Sequence, residues 1–345
     1  RGPAARAYGQ NAFTGAINVV TKKDTPKTLT LDLQSGNYDQ TSGSIFIGNT
    51  TEKTSILGFI SKNTSDGYRH NTDYEHTQYF IKSSFNRHKT PLELIASYSG
   101  RNFGANGFYA SPSAVDQYEE TQASLISLSQ RHTKNAWIFK PKVYWRRGQD
   151  MYEYIRDKPE IYRNLHVTNK LGAAFDASAA SPWGLTGMGV DISRVGIRSN
   201  NLGHRSRTMM NFFLEHRFYL FEKSLDITPG IAANYFSDFG SHSFPGIDLG
   251  WQISTKLRLY ANTGATFRIP TFTDLYYSDR TTLGNEYLKP EEATSNEIGI
   301  RFSNPKVTAS VALFSRKAKN LIDFVKNSND DTTPFKAENI QQVNT

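Results

Sequence analysis

Chemistry needs nucleophiles, acid–base pairs or metal ligands at fixed spacing, and this chain offers few. Cys is absent from its 345 residues, which removes disulfides, thiolate metal sites and thiol nucleophiles. The eight His are scattered, with no HExxH and no His-x-His pair. Ser, His and Asp occur, but no spacing sets a triad apart from chance. The GxG at Gly187 and Gly189 lies outside any βαβ setting and carries no nucleotide reading. The chain is therefore not read as an enzyme. What stands out is aromatic and charged: 18 Tyr, 22 Phe and a net charge of +8. A basic balance can signal nucleic acid. Here the densest clusters are only Lys22-Lys23 and Arg146-Arg147, with no basic helix or zinc motif, so no nucleic-acid partner is expected.

The elements that must position these residues read as strands. Leu29, Leu31 and Leu33 alternate with Thr30, Asp32 and Gln34. Leu92, Leu94, Ala96 and Tyr98 share one face. Leu165, Val167, Leu171, Ala173 and Phe175 oppose His166, Thr168 and Lys170. Phe212, Leu214, Phe218 and Leu220 oppose Phe213, Glu215, Arg217 and Tyr219. Leu257, Leu259, Ala261, Ala265 and Phe267 oppose Arg258, Tyr260, Asn262 and Thr266. Period two with one apolar face marks a half-buried strand. About 16 such strands are expected, most of 9 to 16 residues, a length that suits tilted membrane strands. Connections alternate between short (87–91, 132–135, 179–184, 221–223, 304–306) and long (64–75, 101–118, 270–292, 321–336), the asymmetry of a transmembrane barrel. The stretch from Glu291 to Phe302 has acidic residues after Pro290 that suit a helix start. The alternation of Ile298, Ile300 and Phe302 favours a strand. Low mean hydropathy does not oppose a barrel, because alternation averages the apolar signal away.

Residues 1–23, RGPAARAYGQNAFTGAINVVTKK, resemble the closing segment of the plug domain of TonB-dependent outer-membrane receptors. Arg1, Gly2, Pro3, Tyr8, Gly9, Gly15, Ile17, Asn18 and Lys22 match that pattern, while Thr14 stands where a second Gly is common. Residues 267–302 resemble a later block of the same family through Phe267, Arg268, Pro270, Leu275, Tyr276, Asn285, Leu288, Lys289, Pro290, Glu291, Glu297 and Gly299. The segment FSRKAKNLIDFVKN and the following AENIQQVNT resemble the next hairpin. Residues 100–113 with 117–122 are similar to a strand-loop-strand of the cobalamin and ferric-siderophore receptors.

The resemblance implies an all-β, transmembrane antiparallel β-barrel of 22 strands in a Gram-negative outer membrane, plugged by an N-terminal domain. Residues 1–23 would be the end of the plug and 24–345 a partial barrel of about 16 strands. The opening at Arg1 and the close at Thr345, inside an alternating segment, suit a piece of a longer receptor. The first strand, over residues 28–37, is then expected to pair with a last strand not in this sequence. An unpaired edge in lipid is costly. The implied function is active uptake of a scarce metal chelate, cobalamin or ferric siderophore. The implied partners are outer-membrane lipid, the chelate, and TonB with ExbB-ExbD through a missing N-terminal box.

Ligands of such receptors sit among outer loops, held by stacking and polar contacts. The candidates are Phe103, Asn106, Phe108 and Tyr109 in one loop and Tyr276, Tyr277 and Arg280 in another, with Arg280 suited to an anionic chelate. The competing reading places these aromatics in a membrane-interface girdle. Arg146, Arg147, Glu215 and Arg217 are expected to face the lumen and balance the plug's charge. Calcium in the outer loops is raised by the cobalamin receptors. The loop at 63–76 offers only Asp66, Asp73 and Glu75, against the 6–8 oxygens the ion needs. Three other functions compete: a diffusion porin, a barrel enzyme and a receptor for haem or another nutrient. A soluble β-domain is disfavoured by strand length.

Overall fold

The structure is a computed structural model and describes residues 17–21, 25–86, 90–109, 111–326 and 333–345. The strands are β1 (Thr28–Ser35), β2 (Thr41–Thr50), β3 (Thr54–Ser65), β4 (Tyr74–Phe85), β5 (Leu92–Gly104), β6 (Tyr118–Gln130), β7 (His132–Lys134), β8 (Trp137–Glu153) and β9 (Arg163–Ser181). They continue as β10 (Gly184–Ser199), β11 (Gly203–Leu220), β12 (Leu225–Phe236), β13 (Gly240–Ser254), β14 (Leu257–Arg268), β15 (Thr282–Leu283), β16 (Glu291–Ser303), β17 (Thr308–Val325) and β18 (Phe335–Asn344). Each long strand pairs antiparallel with the next long strand, giving one up-and-down sheet. The short β7 prolongs β6 along β8, and the two-residue β15 runs parallel to β18. Without these two pieces 16 strands remain, the number the alternation predicts. Glu291 opens a strand, not a helix. Among the described residues no helix is long and apolar enough to cross a membrane.

One end of the sheet carries tight turns, at 51–53, 182–183, 221–224, 255–256 and 304–307. The other carries the long connections 66–73, 105–117, 154–162 and 269–290, along with three short ones at 36–40, 200–202 and 237–239. The observed loops are shorter than expected because strands run on into them. β5 reaches Gly104 and β17 reaches Val325.

Cross-strand partners share a face, so one strand's alternation sets its neighbours'. Val143 and Trp145 on β8 lie with Leu171 and Ala173 on β9. Ala173 lies with Ile192 on β10, Leu171 with Arg194, and Ile192 with Met210 on β11. Phe212, Leu214, Ile231, Tyr235, Leu249 and Trp251 continue this face, and all are exposed. A continuous wall of bare apolar side chains fits hydrocarbon, not water.

The opposite face is polar and lines the lumen. Lys142, Tyr144, Arg146, Lys170, Asp176 and Asp191 border one cavity, and Glu215, Arg217, Asp226 and Asp248 border another. Tyr144 donates its hydroxyl to Asp191 at 3.0 Å. Its ring lies so close to Gly172 that a Cβ there would meet it at 2.5 Å. Asp226 is clamped between Arg217, at 3.1 Å, and Arg258. Lys82 is buried against this inner wall, 2.9 Å from Glu93, and donates to the Thr21 hydroxyl at 2.7 Å. Thr21, ahead of β1, therefore lies against the inner wall. Thr25 continues that path, donating its amide to Thr50 and packing on Gly48, where a Cβ would meet Thr25 at 2.3 Å.

Two expectations change. Arg147 does not face the lumen. A strand sends consecutive side chains to opposite faces, so Arg146 points in while Arg147 points out, to Gln122 and Gln149. Phe267 does not join the lipid face. It lies beyond the last β13–β14 pair and is buried, stacked on His242 with ring centroids 4.0 Å apart and packed by Phe236 and Phe244.

Candidate functional site

The long-loop end of the lumen is organised by the connection between β14 and β16. A five-residue helix, α1 (Phe272–Tyr276), starts on a capping box: Thr271 accepts from the Asp274 amide, and Asp274 accepts from the Thr271 amide. Asp274 also faces Arg268 at 3.3 Å, and Arg268 pairs with the buried Glu291. Glu291 takes the Ile322 amide at 2.8 Å, which ties β17 to the same knot. The carbonyl of buried Pro270 accepts from Arg207 at 3.1 Å, Leu288 packs with Leu275 and Ala337, and the Pro290 carbonyl faces Asn320. Thus Arg268, Pro270, Leu288, Pro290 and Glu291 work as the joint that seats this loop. Asn18 is exposed in a segment without regular structure. Arg1, Gly2, Pro3, Tyr8, Gly9 and Gly15 lie outside the described residues.

From this joint Tyr277 reaches across the lumen mouth. Its hydroxyl is 2.6 Å from that of Tyr162, and both donate to Asp279 at 3.0 Å. Asn164 donates to both tyrosines, at 2.9 and 3.0 Å. Tyr162 packs edge-on to Tyr152, with centroids 6.2 Å apart, and Tyr152 to Tyr109 at 5.6 Å. Tyr109 meets Phe108 at 4.7 Å. Gln117, fully buried, fixes the far end by donating to the Tyr152 hydroxyl at 2.6 Å and accepting the Tyr109 amide. An arc of five rings therefore joins the two predicted loops.

The predicted residues fall into three groups. Phe108, Tyr109 and Tyr277 lie on the arc, and Phe108 is 74% exposed. Asn106 and Tyr276 are engaged within the loops. Asn106 donates to the His70 carbonyl at 2.6 Å, and Tyr276 lies under the Arg205 guanidinium, 3.8 Å from its ring centroid. Phe103 is half-buried on β5 beside Tyr74 and Glu119, and Arg280 is exposed. Sequence reasoning missed Tyr152, Tyr162, Asn164 and Gln117. Tyr162 and Tyr277 are 115 residues apart in the chain, and no local pattern joins them.

Burial raises the tyrosine pKa at Tyr109, Tyr162 and Tyr277, with the nearby Glu119 adding at Tyr109 and Asp279 at the other two. These hydroxyls stay protonated donors at neutral pH. At Asp279 burial pushes upward, but hydrogen bonds from Thr281, Tyr162 and Tyr277 outweigh it and lower the pKa. A carboxylate favoured in the folded state contributes stability above its ordinary value of about 4. That contribution vanishes as pH falls through the lowered value. Hydrogen exchange at the Thr281 and Thr282 amides, both 2.7 Å from Asp279, should stay slow from pH 7 to about 4 and accelerate relative to the strand amides only below that.

The three carboxylates raised for calcium do not converge. Asp73 pairs with Arg156 at 2.7 Å and Glu75 with Lys62 at 3.1 Å. Among the described residues no group of three or more His, Asp or Glu is placed to hold a metal.

Comparison with known proteins agrees with the architecture. Residues 9–345 match the family model described as TonB dependent receptor-like, beta-barrel. The vitamin B12 transporter BtuB of Vibrio vulnificus (strain YJ016) is 25% identical over 335 residues, covering 94% of this chain and 54% of its own. The chain thus spans about half the length of that relative. The siderophore receptor PirA of Pseudomonas aeruginosa superposes with a TM-score of 0.79 at 15% identity, over 100% of this chain and 66% of its own. The ferric enterobactin receptor PfeA of the same species, in complex with BCV-L6, gives 0.80 at 16%, over 100% and 63%. Alternating strands, a polar lumen, a knotted outer loop and a family match over nearly the whole length lead to one conclusion: the chain belongs to the TonB-dependent receptors, a family of transport receptors rather than enzymes, and is part of their β-barrel.

Proposed function

We propose that this chain forms barrel wall in an outer-membrane receptor for active uptake of a scarce metal chelate, a corrinoid or a ferric siderophore. The arc Phe108–Tyr109–Tyr152–Tyr162–Tyr277 carries this reading. Broad rings with hydroxyl donors suit a large conjugated chelate, gripped by stacking and hydrogen bonds without covalent chemistry. The B12 transporters among the relatives and the siderophore receptors among the structural neighbours support the ligand class. Energy would come from the inner-membrane proton-motive force through TonB and ExbB-ExbD, engaged by another part of the receptor. The passive porin is the weaker alternative, because Thr21 held on Lys82 puts chain inside the wall ahead of β1.

Calorimetric titration of the full-length receptor with cyanocobalamin and with a ferric catecholate tests it. One of the two should bind with micromolar or tighter affinity. Tyr109→Ala and Tyr152→Ala should each weaken it by about tenfold, as for truncated aromatic anchors. Binding of neither would overturn the ligand class.

A further inference from the structure

The outward turn of Arg147 places it in a second group of charges. Directly across β9 from Arg147 is Asn169, and across β10 from Asn169 is Gly196. Arg194 and Arg198 lie two residues to either side of Gly196 on the same face, both exposed. Arg194 donates to Ser206, Gly196's partner on β11, which confirms that face. Gly196 leaves an open notch, with only the Arg205 carbonyl, at 3.7 Å, near its missing side chain. Strand spacing puts Arg147 about 10 Å from Gly196 and about 12 Å from each arginine of the β10 pair, and the pair itself about 13 Å apart. His204, two residues from Ser206 on β11, borders the group.

Two features make this more than scattered surface charge. Arg147 bonds only to the amide oxygens of Gln122 and Gln149, and Arg194 only to a serine. Among the described residues none of the three arginines has a carboxylate partner. The group also begins where the apolar wall ends, toward the long loops. Trp145 and Leu171 share the row of Arg194, the lowest of the three, and Val143, Ala173, Ile192 and Met210 form the row below it. A molecule that fills this place must be apolar below and anionic above.

We propose that Arg147, Arg194 and Arg198 bind the phosphate headgroup of an anionic lipid of the surrounding leaflet, whose acyl chains lie on the wall formed by Trp145, Leu171, Ile192 and Met210. Arginine's planar fork suits phosphate, and each basic group at an anionic membrane surface adds to the attraction. The proposal rests on the membrane-barrel reading.

The test uses the full-length receptor in nanodiscs of zwitterionic lipid doped with a phosphorylated lipid, with bound lipid counted by native mass spectrometry. The wild type should retain the phosphorylated lipid, and Arg147→Gln/Arg194→Gln/Arg198→Gln should retain about tenfold less. Arg194→Lys/Arg198→Lys should keep most of it. Lys62→Gln, at an outward residue already paired with Glu75, should change nothing. Equal retention by wild type and triple variant would overturn the proposal. So would displacement by millimolar inorganic phosphate, which would mark a free-anion site. Failure of the wild type to enter nanodiscs would overturn the membrane-barrel reading, and this proposal with it.

Discussion

Leu214→Arg should destabilise the inserted receptor by about 2–4 kcal/mol, the cost of a charge near the bilayer midplane. Leu214 lies midway along the apolar face of β11, which runs from Met210 to Leu220, with Met188 and Ile231 beside it on the neighbouring strands. It is 41% exposed, so nothing in the protein would shield the new charge. Thr228→Arg is the matched control. It projects into the lumen between Arg217 and Asp248, where Glu215, Asp226 and water can accommodate a cation. Its cost should stay below about 1 kcal/mol. Urea titration of the receptor in bilayers measures both, and equal costs would show that Leu214 does not meet lipid.

Arg268→Met should cost about 3 kcal/mol or more and release the loop at 269–290. Glu291 is 4% exposed, and removing one partner of a buried ion pair leaves the other's charge unpaired. The loss should spread along the hydrogen bonds that tie this loop to the strands. Asp274 loses a cation beside the α1 cap, and the Ile322 amide keeps an acceptor without its counter-charge. Arg268→Met/Glu291→Met should recover part of the loss, because it removes both charges together. Hydrogen exchange at Ile322 and through α1, with chelate titration, would separate the variants: fast exchange and weaker binding in the single, partial recovery of both in the double. A single variant with normal exchange would remove the knot from the account.

Much of this fold could be read from period two alone. The faces of β9 and β11 match the residues the pattern assigned, because lipid on one side and a polar lumen on the other leave register little freedom. The failures have physical reasons. Arg146-Arg147 looked like one basic cluster, but the alternation that revealed the strand also splits the pair. Phe267 kept the period of β14 while its partner strand had already diverged. The helix α1 had a legible start in Thr271 and Asp274, a capping box inside what looked like plain loop. The aromatic arc was half legible. Its ends, Phe108-Tyr109 and Tyr277, stand in aromatic loops. Its middle, Tyr152 and Tyr162, is joined only by the pairing of β8 with β9 and by a contact across 115 residues.

Cys is absent from these 345 residues, so once any cysteine elsewhere in the receptor is replaced by Ser, an introduced thiol is unique and gives the most direct measurement. Single cysteines along β11, from Thr208→Cys to Leu220→Cys in the full-length receptor, would carry a fluorophore quenched by nitroxide lipid or be offered a water-soluble maleimide. Strict alternation is expected, with lipid quenching at 210, 212, 214, 218 and 220 and aqueous labelling at 209, 211, 213, 215, 217 and 219. Aqueous labelling at every position, with no lipid quenching at either parity, would contradict it.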